Sequence, residues 1–442
     1  MPIPFRKIIP PAVASFRDSV RSRLFASLAA ALAIIVVSFL YATPPKAGDA
    51  ATHNFIFYSL FCCSALLSIA AMAAAAASAS GEIRNRTMHL VRVKPIQTAT
   101  FLVGKWLGLV LSFALLLALA LALVSLASRN TQSFRTCNER IPPDLPPIGW
   151  QVEQIVGKAR ASGVSDEAEL RRLRSDSMAK LPFATATLAH GETWNFHFNL
   201  GSPLAQGTVA LQVAFASDSY SPVPLSVSCV LSNPHGPSSP GIPFAVSNLS
   251  ARLMSIPLES PALEGATELS LSMRHGGSEG TMPVMLQPRQ SIAILVPACD
   301  SALNFVRAFL VMLPVLALLL AIGLASGSIF SLPVAVFSSC GLLLAVFVAE
   351  FAVGDPDSLE IGNPSGKSSP LEIFSQTISV TTVKTLHFIA DPAIEPAPVE
   401  ALSNAELVPS ADIASSLLWN GAAIPLAIML GSAAVLARKE LP

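Results

Sequence analysis

The side chains that most often carry chemistry are sparse in this sequence, beginning with its six cysteines. Cys62, Cys63 and Cys340 lie inside apolar runs, where cysteine behaves as a small hydrophobic side chain. Cys137, Cys229 and Cys299 lie in a polar region and allow at most one disulfide, whose pairing the sequence leaves open. No CxxC pair, histidine–cysteine cluster, HExxH or Ser/His/Asp arrangement is visible. We therefore expect no metal site, no directly bound cofactor and no catalytic residue, as in a protein that is not an enzyme.

Two charged residues and one glycine pair stand out within the apolar runs. Arg307 and Glu350 lie near the ends of two of these runs. A charge inside a membrane is a candidate functional group, whereas the same charge at headgroup depth needs no special role, and both interpretations stay open. Gly323 and Gly327 form a GxxxG step, which predicts close helix packing but also arises by chance in sequences rich in small residues.

The most informative pattern runs from Gly81 to Gly108, between the second and third apolar runs. Its ordered features are Glu82, Arg86-Thr87-Met88, Lys94-Pro95-Ile96 and Gly104-Lys105. Residues 82–90 predict a short amphipathic helix at the membrane surface, and Pro95 would end it because proline lacks a backbone donor. Arg84 and Arg86 could then contact acidic groups of a cytoplasmic partner. The alternative is an ordinary basic loop, which explains the charges but not the order of the motifs.

This order of residues resembles the cytoplasmic segment of ABC-2 type ABC transporter permeases, which contains the coupling helix that docks on a separate ATPase. Two weaker likenesses to the same family are the step at 326–335, between the fourth and fifth apolar runs, and the basic ending at 435–441. The resemblance covers the membrane frame but not residues 128–302, where most members have a short outer loop. It implies that the ATPase-coupling segment comprises Glu82, Arg84, Arg86, Thr87, Met88, Lys94, Pro95 and Ile96.

The sequence gives no sign that the chain hydrolyses ATP by itself. Gly104-Lys105 lacks the upstream glycine of a phosphate-binding loop and is followed by Trp106 instead of serine or threonine. The resemblance therefore implies that ATP acts through a partner, an ABC ATPase subunit, and that a second permease subunit completes the assembly. Membrane lipids are the remaining expected partners. The formal net charge of zero gives no reason to expect nucleic-acid binding.

The elements that must position these residues follow from composition. The chain has 442 residues, of which 52% are hydrophobic and 13% charged, whereas soluble domains carry about 25% charged residues. Its mean hydropathy is +0.58. An apolar run of about 20 residues can cross a bilayer as a helix, and such runs lie near 24–42, 56–79, 102–127, 303–325, 331–353 and 413–436. We therefore predict an α-helical polytopic membrane protein with six transmembrane helices.

Basic residues in the short flanks predict the orientation of these helices. They cluster before the first span, between the second and third spans, and after the last span, at Arg438 and Lys439. The N- and C-termini are therefore expected to be cytoplasmic, in a multi-pass protein of the bacterial inner membrane. The predicted domains are 1–127, with an N-terminal interfacial helix, three spans and the coupling segment; 128–302, outside the membrane; and 303–442, with three spans and an outer loop at 354–412.

Residues 128–302 predict an inserted extracytoplasmic α+β domain. A helical pattern covers about 148–180, and the alternation of large apolar and polar residues changes to period two at 194–198, 209–213 and 269–273. Short strands separated by turn residues are typical of a β-sandwich-like fold. The domain could contact a substrate or an extracytoplasmic partner, or it could be a structural cap on the membrane core.

Three functions remain as expectations. The first, implied by the resemblance, is the membrane-spanning permease subunit of an ABC-2 type transporter, which moves an unidentified substrate, by export, with ATP hydrolysed by a separate subunit. The second is ATPase-driven mechanotransmission, in which the 128–302 domain acts on a periplasmic partner without solute transport. The third is a membrane anchor for a binding domain with no ATPase, which leaves the ordered motifs at 82–105 without an explanation.

Overall fold

A computed structural model gives the fold of the chain as two compact units. One comprises residues 1–137, 299–356 and 378–442, and the other comprises residues 138–298 and 357–377. The structure describes residues 8–45, 49–84, 98–129, 136–146, 148–162, 169–170, 172–174, 177, 186–188, 192–204, 208–213, 226–232, 242–247, 254–259, 263–275, 284–286, 292–353, 381 and 397–438. Each unit has its own hydrophobic core.

The first unit is mainly helical. Its helices are α1 (Ile9–Arg21), α2 (Arg23–Ala42), α3 (Asp49–Arg84), α4 (Thr98–Ser128), α6 (Ser301–Ile329), α7 (Leu332–Val353), α8 (Ala397–Ser403), α9 (Ser410–Leu418) and α10 (Ile424–Arg438). A π-helical turn, Trp419–Ala423, joins α9 to α10. Helix α5 (Ile148–Ala161) belongs to the second unit.

Five helical stretches among the described residues are long and apolar enough to cross a membrane, which identifies the chain as a membrane protein. They are Arg23–Ala42, Ala51–Gly81, Thr98–Ser128, Ser301–Ile329 and Ser410–Leu436. In the most apolar 18-residue stretch of α6, 56% of the residues are buried by other parts of the protein, whereas in the corresponding stretch of α2 only 17% are buried. Helix α6 is therefore central, and α2 leaves most of its apolar surface for lipid or another chain.

The predicted count of six spans is met for five of them. The expected span near 331–353 falls on α7, which is helical throughout Leu332–Val353. Within the described residues, the part of α7 that counts as an apolar helix is Leu332–Leu342. This part is shorter than the roughly 20 residues that a helix needs to cross a bilayer.

Helix α3 is longer than the predicted second span at 56–79. It begins at Asp49 and continues to Arg84 without a break. Residues 73–77 are five consecutive alanines, and alanine has the highest helix propensity. Residues 82–84 of the amphipathic helix predicted over 82–90 are helical as the last turn of α3, and its residues 85–90 lie outside the described residues.

A short break separates the predicted N-terminal interfacial helix from the first span. The Ser22 backbone is extended, with φ −68° and ψ 145°, and its hydroxyl accepts a hydrogen bond from the Phe25 N–H at 3.1 Å. This side-chain cap satisfies one of the free N–H groups that begin α2. Helix α1 can therefore run in a different direction from the span that follows it.

The second unit contains α5 and most of the strand structure. The strands are β1 (Thr136–Ile141), β2 (Ala186–Leu188), β3 (Thr193–Asn199), β4 (Thr208–Val213), β5 (Ser226–Ser232), β6 (Ile242–Ser247), β7 (Met254–Glu259), β8 (Glu268–His275), β9 (Val284–Leu286) and β10 (Ile292–Asp300). Four-stranded sheets have the orders β1-β10-β4-β7 and β3-β8-β5-β6, and β2 pairs with β9. The three strands predicted by alternation are present, as β3, β4 and β8.

The two four-stranded sheets share one hydrophobic core. Phe196 and Phe198 from β3, Leu211 from β4 and Ile294 from β10 are all buried in it. A core shared by two sheets is the packing of a β-sandwich. Helix α5 ends at Ala161, and the described residues 169–170, 172–174 and 177 are again helical, within the predicted helical region of about 148–180. Val152 and Val156 of α5 form a separate small cluster with Leu170.

Candidate functional site

The predicted coupling segment connects α3 to α4, and the structure describes its beginning and the helices on either side of it. Glu82 and Arg84 lie in the last turn of α3. The other residues predicted for it lie outside the described residues: Arg86, Thr87, Met88, Lys94, Pro95 and Ile96. The geometry of the site therefore comes from the contacts made by the last turns of α3 and the first turns of α4.

Lys105 joins the first turns of α4 to α3. Its residue is only 5% exposed, and its ammonium nitrogen donates a hydrogen bond to the Ser78 carbonyl oxygen at 2.8 Å. The same nitrogen lies 6.0 Å from the centre of the Phe101 ring. A buried ammonium group is costly unless it is hydrogen-bonded, and the C-terminal half of a helix favours a nearby positive charge. Lys105 is therefore a fixed polar link between two apolar helices.

Helix α1 crosses α4 at two glycines. A Cβ atom on Gly104 would lie 2.6 Å from the Pro11 Cγ, and one on Gly108 would lie 2.4 Å from the Ala12 carbonyl oxygen. The Ser15 hydroxyl donates to the Lys105 carbonyl oxygen at 3.2 Å. Small residues four apart allow such close helix packing in membranes. This contact was not predicted from the sequence, although the spacing of Gly104 and Gly108 carries the signal for it.

The glycine pair on α6 packs against α3. A Cβ atom on Gly323 would lie 2.5 Å from the Met72 carbonyl oxygen, and one on Gly327 would lie 2.4 Å from the Ala76 carbonyl oxygen. The Ser80 hydroxyl donates to the Ala76 oxygen at 2.7 Å and approaches the Gly327 oxygen at 3.2 Å. These contacts hold the end of α3 directly against α6.

A buried tryptophan completes this arrangement by joining α4 to α6. The Trp106 indole N–H donates to the Ala317 carbonyl oxygen at 2.8 Å, and the side chain is almost fully buried. Burial of the indole requires such a partner for its only donor. Helices α3, α4 and α6 are therefore linked in pairs at the ends of the predicted coupling segment, so a displacement of that segment would act on all three.

Arg307 and its neighbour Asn304 lie at the other end of α6. The Asn304 amide donates to the Glu406 carbonyl oxygen at 2.7 Å, and its oxygen accepts from the Val408 N–H at 2.9 Å. The Arg307 guanidinium donates to the Val408 carbonyl oxygen at 3.2 Å. These bonds clamp the connection between α8 and α9 onto α6. Glu350 lies in α7, and its side chain lies outside the described residues.

The last span contains a buried amide without a partner. Asn420 lies in the π-helical turn and is 1% exposed, and neither polar atom of its side chain has a hydrogen-bond partner among the described residues. A Cβ atom on Gly421 would lie 3.4 Å from the Pro314 Cβ of α6, and the Ser416 hydroxyl donates to the Val311 carbonyl oxygen at 3.0 Å. π-helical turns are frequent at functional sites. This position was not predicted.

The cysteine pairing that the sequence left open is Cys137 with Cys299. These residues form a disulfide across a sequence separation of 162, with their Cα atoms 5.3 Å apart. Cys137 lies in β1 and Cys299 in β10, so the bond closes the chain where it passes into and out of the strands of the second unit. Cys62, Cys63 and Cys340 are free thiols. Within the described ranges, no three His, Cys, Asp or Glu side chains come together that could hold a metal ion.

No protein-family model and no curated protein matches the sequence.

Proposed function

We propose that this chain is the membrane-spanning permease subunit of an ABC-2 type ABC transporter, which moves a substrate outward with ATP hydrolysed by a separate ATPase subunit. The observation that carries the proposal is the convergence of contacts on the ends of the segment 82–96. Lys105, Trp106 and the glycine pair of α6 link α3, α4 and α6 where that segment begins and ends. A force applied there by an ATPase would reach the central helix of the membrane core.

The disulfide supports the proposed topology. Disulfides form and persist in oxidising compartments, such as the bacterial periplasm, and are rare in the cytosol. Cys137 and Cys299 would therefore lie on the periplasmic side of the inner membrane. The segment 82–96 would lie on the cytoplasmic side together with both termini, since α4 crosses the membrane between residues 98 and 128. In this topology α7 serves as the sixth span.

The proposed mechanism is alternating access in a pair of permease subunits bound to two ATPase subunits. Closure of the ATPases on ATP would displace the segment 82–96, and the linked helices α3, α4 and α6 would move together as one group. Helix α2, which buries the smallest share of its surface, offers an apolar face for the second permease subunit. The substrate would pass between the two subunits.

Co-purification with charge-reversal variants tests this proposal. The wild-type protein, expressed with the genes that neighbour its own, should recover an ABC ATPase, and Arg84→Glu with Arg86→Glu should weaken that recovery by disturbing ionic contacts with the partner. Arg160→Glu is the matched control, because Arg160 is an exposed arginine of the second unit. An ATPase recovered equally well with the wild type, the Arg84/Arg86 double variant and Arg160→Glu would refute the coupling segment, and failure of the wild type to recover any ATPase would refute the function.

A second candidate is ATPase-driven mechanotransmission to a periplasmic partner. Residues 138–298 motivate it, because they form most of a unit with its own two-sheet core, and a disulfide joins the residues directly before and after them, Cys137 and Cys299. Replacing 138–298 by a short flexible linker separates the two candidates. A transporter with a structural cap should keep ATP-dependent substrate movement after the replacement. A mechanotransmission protein should keep its ATPase activity and lose its effect on the periplasmic partner.

A further inference from the structure

A cleft between α1, α2, α3 and α4 has a volume of about 320 Å³ and is partly open to the exterior of the molecule. Its lining changes character along its length. Near α1 it is lined by polar side chains, among them Asp18, Ser19 and Lys105, and further along the helices it is lined by apolar ones, among them Leu28, Phe113 and Leu116. The change runs in the same direction on each wall.

The chain order of the lining residues establishes that direction. On α4 the lining proceeds from Phe101 through Lys105 to Leu116, and the part from Lys105 to Leu116 rises about 16 Å along the helix. From Ser22, which precedes α2, it proceeds to Leu28, and on α3, which runs the opposite way, from Ser78 back to Ala74. The cleft therefore has a polar mouth beside the interfacial helix α1 and an apolar interior between membrane helices.

The dimensions restrict the occupant. The volume lies at the small end of the range for ligand sites, about 300–1,000 Å³. An α-helix with its side chains is about 10 Å across, so the cleft would hold less than one helical turn of another protein chain. An alkyl chain is much thinner, and burial of its methylene groups against the apolar lining is favourable.

The charges at the mouth restrict the headgroup. Asp18 is exposed and forms no ion pair within the described residues, and it lines the cleft together with Ser19 and Ser22. The one cation of the lining, Lys105, is buried and already donates to Ser78. Among the residues that line the cleft, the accessible charge is therefore negative, which favours a positively charged amine over a purely anionic headgroup.

We infer that this cleft binds a membrane phospholipid with an amine-bearing headgroup of the phosphoethanolamine type, with one acyl chain in the apolar interior and the ammonium group near Asp18. The inference does not depend on the proposed transport function, because lipid can be retained without an ATPase. The bound lipid would fill the space between α1 and the spans, where the two glycines of α4 already bring α1 close.

The test uses the full-length protein purified from vesicles that contain equal amounts of phosphatidylethanolamine and phosphatidylglycerol, with retained lipid counted by native mass spectrometry. We expect about one tightly retained phosphatidylethanolamine per chain. Ala77→Phe fills the cleft, since Ala77 is an exposed residue of its wall. Its retained lipid should fall by roughly tenfold, the effect of excluding about two methylene groups. Ala30→Phe, on an exposed position of α2 outside the lining, is the matched control and should retain lipid like the wild type.

Asp18→Asn examines the headgroup without changing the shape of the cleft. It should reduce the preference for phosphatidylethanolamine over phosphatidylglycerol by no more than about fivefold, because an exposed ion pair contributes little. Equal lipid retention by the wild type and Ala77→Phe would overturn the site, and an unchanged preference in Asp18→Asn would overturn the headgroup assignment. If Ala77→Phe instead weakens self-association with no change in retained lipid, a second copy occupies the cleft and the inference is wrong.

Discussion

The ammonium nitrogen of Lys105 in α4 lies 2.8 Å from the carbonyl oxygen of Ser78 in α3 and donates a hydrogen bond to it. Hydrogen bonds from charged donors contribute about 1.5–3 kcal/mol. Lys105→Met keeps most of the side-chain volume and removes the donor, so we expect a loss of about 1.5 kcal/mol, measured as a lower midpoint of thermal unfolding in detergent. Lys158→Met, on the exposed face of α5, should leave the midpoint unchanged. A midpoint that rises in Lys105→Met would mean that burial of the ammonium costs more than its hydrogen bond contributes.

The contact of α1 with α4 predicts that Gly108 tolerates no side chain. A Cβ atom there would lie 2.4 Å from the Ala12 carbonyl oxygen, a backbone atom that cannot yield by rotation. Gly108→Ala should therefore separate the helices and cost about 1–3 kcal/mol, as overpacking does in other cores. Gly431→Ala in α10 meets no atom within 4 Å and should raise stability slightly. Thermal unfolding of the two variants measures the contrast, and equal midpoints would contradict the close contact.

The contact of α6 with α3 predicts a similar penalty at Gly327, where a Cβ atom would lie 2.4 Å from the Ala76 carbonyl oxygen. Gly327→Ala should lower the unfolding midpoint and, if the proposed coupling is right, also reduce ATPase-dependent transport. Gly341→Ala, on α7, meets no atom within 4 Å and provides the control. Equal unfolding midpoints for Gly327→Ala and Gly341→Ala would argue against the contact.

Replacement of asparagine by leucine should change the free energy of unfolding in opposite directions at two buried positions. The Asn420 amide has no hydrogen-bond partner among the described residues, so its burial costs free energy that no bond offsets. Asn420→Leu removes this cost and should stabilise the protein by about 1–2 kcal/mol. Asn304 makes two hydrogen bonds to backbone atoms at 2.7 and 2.9 Å, so Asn304→Leu should destabilise it by about 2–3 kcal/mol. Thermal unfolding compares the pair directly. Destabilisation by Asn420→Leu would mean that its amide binds a group such as a buried water.

The disulfide predicts a specific thiol pattern. Peptide mapping under non-reducing conditions should recover a fragment that links Cys137 to Cys299, and Cys137→Ser should expose a new reactive thiol at Cys299. Loss of a native disulfide commonly costs about 2–5 kcal/mol, so the second unit should unfold at a lower temperature in that variant and after reduction. Cys62→Ser, which alters a free thiol of α3, should change neither result. Reactive thiols at both positions in the wild type would refute the pairing.

Sequence patterns predicted the elements of this fold better than the contacts between them. The spans followed from apolar length, and β3 and β8 followed from alternation, because both signals are local. The hydrogen bond from Lys105 to Ser78 could not be predicted from a local pattern, since it depends on which faces of α3 and α4 meet. The π-helical turn at 419–423 was equally hidden, because one extra residue in a turn leaves no trace in composition.

Part of the site was nevertheless visible in the sequence. The Gly323–Gly327 step predicted close packing, and the structure places both glycines against α3. The equivalent spacing at Gly104 and Gly108 carries the same signal, although Gly104 also belongs to the Gly-Lys step of the ordered motifs. The partner of Cys137 was unknowable from three candidate cysteines, since pairing is decided by the sheet that brings β1 beside β10.

The 5.3 Å between the Cα atoms of Cys137 and Cys299 has a consequence for how such a protein could arise. Residues 138–298, the larger part of the second unit, leave the rest of the chain and return to it at nearly the same point, so the membrane helices before and after need not be rearranged to accommodate them. Segments whose ends lie close together are readily inserted into other chains. An ancestral membrane protein could thus have gained residues 138–298 in a single genetic event, and related chains could lose or exchange them while keeping the same helices.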